Sequence, residues 1–181
     1  MGVDIRAFRQ LTRVDCVFDA EGNPIGPATR ESLENGGLER FYVNPDFPGR
    51  ADDLEGESVY GFSESKYFLS RSYGGYNHLR NKLAKLAGYP EEGHFSEILK
   101  INERHHCWAC WRGETGPFCE VINFSDCEGT IGASVSAKLA KDFADFQDKA
   151  DLETDDNFKQ FYSAMRGAFE MASDGGAVRY S

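Results

Sequence analysis

Alternation opens the chain: Val3, Ile5 and Ala7 are separated by Asp4 and Arg6, and Leu11, Val14, Cys16 and Phe18 follow before the turn-forming Glu21-Gly22-Asn23-Pro24. A period of two marks a half-buried strand, so the segment predicts two early strands or one long bent one. Residues 59–62 and 67–69 predict further short strands or a packed turn, 118–124 a buried strand, and 177–180 a closing strand. In three places the period lengthens to three and four residues, the spacing of one helix face. Tyr76, Leu79, Leu83 and Leu86 predict a helix near 76–87, stopped by Gly88 and Pro90. Val135, Leu139, Phe143 and Phe146 predict a second over 133–150. Phe158, Phe161, Tyr162, Met165, Phe169 and Ala172 predict a third over 156–173, opened by Asp155 as N-cap and closed at Asp174-Gly175-Gly176.

Between these elements the pattern weakens. Residues 19–57 are rich in Gly, Pro, Asn and acids and read as a long irregular excursion, with one apolar patch at 38–43 as an edge strand. Such length is uncommon inside a compact domain unless it is a functional flap or a packed loop. Residues 94–111 stay open: Phe95, Ile98 and Leu99 suggest a helical turn, whereas His105-His106-Cys107-Trp108 suggest a strand or loop. Residues 125–132 read as a glycine-containing turn. The expected fold is a single α+β domain over 1–181, an antiparallel or mixed sheet covered by three helices. The sheet would be built from the N-terminal strands and 118–124, with 177–180 as a further candidate member. An all-helical bundle is the alternative.

The composition of 181 residues, 40% hydrophobic, 13% aromatic and 28% charged, can fill a core without disulfides, which sets aside wholesale disorder and a disulfide miniprotein. Thirty acidic residues against twenty basic ones leave a formal charge of −10, which disfavours general adhesion to nucleic acid or to anionic membranes but leaves room for a local basic pocket. No apolar run approaches the roughly 18 residues of a membrane span, and Asp4, Arg6 and Arg9 interrupt any signal peptide. Arg6 also stands where the myristoylation pattern wants Ser or Thr. A cytoplasmic protein with five reduced cysteines is expected, without a membrane partner.

Three segments carry candidate chemistry. The pair Cys107 and Cys110 has the spacing of two zinc thiolates, and Cys119 and Cys127 would complete a set of four. Their separation is not that of two repeated knuckles, so ordinary buried thiols are expected, with no metal or cofactor required for folding. Asp126 and Glu128 follow an apolar run, a place where acids hold a divalent ion or move a proton; the competing reading is a turn capped by Asn123, Ser125 and Asp126. Arg71, Tyr73, Gly74, Gly75, Tyr76, Asn77 and Arg80 combine helix-start amides, cations and rings suited to an anionic ring-bearing ligand. The competing reading is a tight helix entry with tyrosines in the core. A second glycine-rich helix start follows at 129–132. His78 reads as a solvated helix residue.

Asp142, Asp145, Asp148 and Asp151 recur every third residue, so they drift round a helix as a solvated face or as a phosphate-mimicking surface for a basic groove. The nucleophile elbow, the zinc-protease helix, the phosphate loop and the kinase motifs are missing from the sequence.

The opening Met1-Gly2-Val3-Asp4, the block Ser72-Tyr73-Gly74-Gly75-Tyr76-Asn77, residues 120–132 and the closing Ala168-Phe169-Glu170-Met171-Ala172 are similar to uncharacterised proteins carried by bacteriophages and prophages. The resemblance implies a context, a small accessory protein in a bacterial cytoplasm acting against host defences, and it transfers no catalytic residue. The expected function is a non-catalytic binder that sequesters a small anionic, nucleotide-like ligand. It would use Arg71, Tyr73, Gly74, Gly75, Tyr76, Asn77, Arg80, Asn123, Ser125, Asp126 and Glu128. The alternatives are an acidic inhibitor occupying a basic groove of a host protein and a hydrolase using Asp126 and Glu128. Whether a second copy of the chain completes the pocket stays open.

Overall fold

The computed structural model describes residues 2–25, 27–56, 58–96, 101–112 and 115–181. The first half contains β1 (Gly2–Arg9), β2 (Thr12–Val14), β3 (Val17–Phe18), β4 (Pro24–Ile25), α1 (Pro27–Glu34), β5 (Glu39–Arg40), β6 (Val59–Gly61), β7 (Glu64–Ser72) and α2 (Tyr73–Ala87). After these come β8 (Glu92–Ser96), β9 (Ile101–His105), α3 (Cys107–Arg112), α4 (Cys119–Ile122), β10 (Gly129–Gly132), α5 (Ala133–Asp145), α6 (Gln147–Asp151), α7 (Asp156–Ala172) and β11 (Ala177–Tyr180).

Four antiparallel strands in the order β10-β11-β1-β7 form the central sheet. The period-two alternation of β1 sends its residues to two different cores. Val3, Ile5 and Ala7 join Leu69, Val178 and Tyr180 on the face covered by α2, α5 and α7, where Leu83, Phe143 and Phe169 are fully buried. Phe8 and Ala177 lie on the other face, under Phe41 and Tyr60. Arg6 and Arg179 lie beside them, where Arg179 bonds Glu39 at 2.7 Å and Arg6 approaches the same carboxylate at 4.0 Å. The chain is therefore one α+β domain with a sheet covered on both faces, as layer packing requires of a sheet with apolar residues on each side.

The second cover comes from the excursion. Residues 19–57 hold β4, α1 and β5, and β5 joins β2 and β6 in a small sheet of order β2-β6-β5 that carries Tyr60 onto Phe8. Helix α1 escapes the hydrophobic periodicity because Leu33 is its only large apolar residue; the readable signals were Pro27 at its first position and Gly36-Gly37 beyond its end.

Two boundaries differ from expectation. Residues 118–124 make the single turn α4 instead of a strand: Phe118 takes a left-handed conformation (φ 58°), and its N–H donates to the Asp142 carboxylate of α5 at 2.7 Å. A short buried apolar run does not distinguish strand from helix. The sheet position expected for that run goes to β10, inside the stretch read as a turn, whose four residues are all buried. The helix expected over 133–150 breaks at Phe146, which leaves helical geometry (φ −102°, ψ 6°) with its ring 5.2 Å from that of Phe118. Residues 94–111 contribute the hairpin β8–β9 and then α3. Ile98 and Leu99, read as part of a helical turn, lie outside the described residues.

Candidate functional site

Helix α2 builds the site. Ser72 caps its start, the Oγ accepting from the Gly75 N–H at 3.2 Å, and Tyr76, Leu79 and Leu83 bury one face. Asn77, Arg80 and Asn81 then make polar contacts with neighbouring segments. Arg80 is only 5% exposed. Its Nη1 donates to the carbonyls of Ile122 (3.3 Å) and Phe124 (2.5 Å), its Nη2 donates to Asn77 Oδ1, and its guanidinium stands 5.0 Å from the Tyr76 ring centroid. Asp126 completes the arrangement, 3.8 Å from Arg80 Nη2 and accepting from Asn77 Nδ2 at 2.8 Å.

The same helix places α3. Asn81 Oδ1 accepts the backbone N–H groups of His106 (2.6 Å) and Cys107 (3.2 Å), satisfying orphan donors at the start of α3. At the far end Trp111 Nε1 donates to the Ile122 carbonyl at 3.2 Å. A cavity of about 420 Å³ lies between these elements. Gly74, Asn77, His78, Arg80 and Asn81 of α2 line it, with Glu103 and His105 of β9, Cys107, Trp108 and Trp111 of α3, and Asp126 from the following loop. Trp111 is 48% exposed, and His105 meets the Trp108 ring edge-on at 4.7 Å.

The lining carries one guanidinium, Arg80, against two carboxylates, Asp126 and Glu103. Arg80 is engaged by protein acceptors, whereas Glu103 makes no ion pair among the described residues. Burial pushes the Cys107 thiol up, so it stays protonated near neutrality and is a poor nucleophile.

Four of the residues expected to bind ligand therefore meet here: Gly74, Asn77, Arg80 and Asp126. The others do not line the cavity. Arg71 donates to the Ser70 carbonyl (2.9 Å) and to Asn157 of α7 (3.4 Å). Tyr73 packs against the main core, and Gly75 sits under the Ser72 cap. Tyr76 is fully buried near Tyr180, with ring centroids 6.2 Å apart, and burial pushes both phenols up. The Asn123 carbonyl accepts from Arg50 at 3.3 Å. Ser125 Oγ accepts the N–H groups of Cys127 and Glu128, closing a turn, and the Glu128 side chain is exposed. Hydrolysis by a pair of Asp126 and Glu128 has no support in this arrangement.

The second expected anion site, at the start of α5, is filled from within the chain. Asp53 Oδ2 accepts the Ser134 N–H at 3.1 Å, and a Cβ on Gly132 would stand 1.7 Å from Asp53 Oδ1. A carboxylate at a helix start answers the same backbone donors and dipole that would attract a phosphate.

Cys110 and Cys119 meet in the core, each sulfur near the other residue's carbonyl at 3.7 and 3.8 Å, while Cys127 is exposed elsewhere. Among the described residues no group of three or more His, Cys, Asp or Glu side chains is arranged to hold a metal ion. The acidic run is partly engaged internally: Asp142 pairs with Lys138 at 2.8 Å, Asp145 with Lys141, and Asp155 with Lys82. Sequence reasoning missed Asn81, Glu103, His105, Trp108 and Trp111. The available signal is Trp108 and Trp111, three apart beside the cysteine pair, a spacing that sets two indoles on one side of a helical turn.

Comparison with family models, with curated proteins and with solved structures found no match to this chain. Among the described residues no helix is long and apolar enough to cross a membrane.

Proposed function

We propose that this protein is a non-catalytic binder of a small, flat, ring-bearing molecule held in the cavity between α2, β9 and α3. The observation that carries the reading is a cavity of about 420 Å³ with Trp108 and Trp111 on one wall and the polar groups of Asn77, Asp126 and Glu103 on others. The size falls in the range of small-molecule sites, at about 300–1,000 Å³, and indoles with a few fixed polar groups are the usual lining of such sites. Binding without conversion is favoured because Cys107 is held protonated by burial and Asp126 is engaged by Asn77 and Arg80.

The nucleotide-like anion expected from sequence is the less favoured form of this ligand, because Arg80 is bonded to protein carbonyls and Arg71 lies outside the cavity. An accessory role against host defence is the use that the sequence resemblance suggests.

The test is incubation with a panel of heterocycles, nucleosides and cyclic and linear nucleotides, followed by denaturation and mass analysis. Recovery of an intact ligand, lost in Trp111→Ala while the variant stays folded by circular dichroism, is the expected result. A converted product would overturn the non-catalytic reading, and no retention across the panel would overturn the binder.

A further inference from the structure

We infer that the cavity selects a cationic nitrogen heterocycle, which rests on the reading of the cavity as a small-molecule site. The exposed Trp111 indole and Glu103, a carboxylate with no ion pair among the described residues, define the charge preference. Trp108 and Trp111 lie three residues apart on α3, a spacing that puts both on one side of the helix and into the cavity lining. An indole face carries negative quadrupole density, so it holds a cationic ring more strongly than the neutral ring of the same shape.

The carboxylates reinforce that preference. Asp126 is balanced by Arg80 at 3.8 Å, which removes both from the charge sum of the site. Glu103 is half-buried in the wall contributed by β9 and has no ion pair among the described residues. A half-buried carboxylate in the lining of a cavity that also holds indoles gains a partner when a cationic ring enters, and its oxygens accept N–H donors of the ligand. An anionic ligand meets the opposite situation: it adds charge beside Glu103 while Arg80 stays bonded to the carbonyls of Ile122 and Phe124. The net charge of −10 works in the same direction at longer range.

Two matched series test this on the intact protein by tryptophan fluorescence titration. One is N-methylquinolinium, quinoline and quinoline-4-carboxylate; the other is 1-methyladenosine, which is cationic at neutral pH, adenosine and adenosine monophosphate. In at least one series the cation binds about fivefold to thirtyfold tighter than the neutral ring, the range expected of a partly desolvated cation–π contact. The anion binds no tighter than the neutral ring. Glu103→Gln, near-isosteric on a strand face, weakens the cation more than the neutral ring, so the preference shrinks to the share the indole supplies while the melting temperature holds; an unchanged ratio of cation to neutral affinity would remove Glu103 from the charge selection. Equal affinity for cation and neutral ring, or tighter binding of the anion, would overturn the charge selection while the binding reading survives. If no member of either series binds, both fall together.

Discussion

Arg80→Met separates a structural cation from a ligand-binding one. The substitution keeps most of the aliphatic stem and removes the guanidinium that stands over the Tyr76 ring, leaving the Phe124 carbonyl without its donor and the Ile122 carbonyl with the Trp111 indole N–H alone. Both residues are buried, so water does not readily take the donor's place. A hydrogen bond to a charged group contributes about 1.5–3 kcal/mol, and the carboxylate left behind, Asp126, is partly solvated, so the carbonyl bonds dominate the loss. The expected loss is about 2–3 kcal/mol, a large part of the roughly 5–15 kcal/mol that holds a domain folded. Asp126→Asn serves as the counterpart. Its side chain is 38% exposed, so screening reduces the pair and the expected loss is about 0.5–1 kcal/mol. Urea denaturation followed by far-UV circular dichroism measures both, with the m-value as a check that the unfolded states match. A loss below about 1 kcal/mol for Arg80→Met would refute the reasoning and return Arg80 to the pool of cations available to a ligand.

Gly176→Ala places a Cβ 1.9 Å from the Phe8 carbonyl oxygen, a backbone atom on the central strand, so thermal denaturation is expected to show a loss of about 1–3 kcal/mol or more. Asp155 caps α7 through the N–H groups of Asn157 and Phe158, and its bond to Lys82, followed by those caps, holds its carboxyl below the usual range. A depressed carboxylate stabilises above its unfolded pKa of about 4 and loses that contribution as pH falls through the folded value. The melting-temperature gap between the wild type and Asp155→Asn should therefore close on acidification from about pH 5 downward, and a constant gap would count against it. In thiol labelling Cys127 reacts first and the half-buried Cys16 follows, Cys110 and Cys119 react only on unfolding, and Cys127→Ser removes the fastest phase.

Helix α7 shows why part of the fold was readable. Six apolar positions over four turns, from Phe158 to Ala172, define one face, and all six are buried. Each repeat reinforces the same orientation, so a local accident in one turn does not change the answer. The run 118–124 has no such redundancy. Whether it becomes a strand or a turn of helix depends on Asp142 and Lys138, which reach it from α5: Asp142 accepts the Phe118 N–H, and Lys138 bonds Glu120 and the Gly116 carbonyl. Contacts from another element decide there, and local pattern carries no record of them. The excursion was opaque for a related reason. Its Phe41 gains meaning only when β6 places Tyr60, and β1 places Phe8, within ring contact at 5.8 and 5.0 Å.

The candidate site follows the same division. Segments 71–80 and 123–128 each looked able to bind a ligand, and the fold does bring Asn77 and Arg80 to Asp126. What the sequence could not show is that these groups are complementary to one another. A cation, an amide and a carboxylate that would each attract a ligand also attract each other, and on folding they do so at buried carbonyls, where the alternative is an unsatisfied polar group. Asp53 repeats this at the start of α5, supplying the anion that the backbone there favours. Conspicuous polar residues are therefore those a compact fold uses first for its own hydrogen bonds. Available to a ligand are groups such as Glu103, which makes no ion pair among the described residues, and rings held by an edge, such as Trp111, whose indole N–H is bonded while 48% of the residue stays exposed.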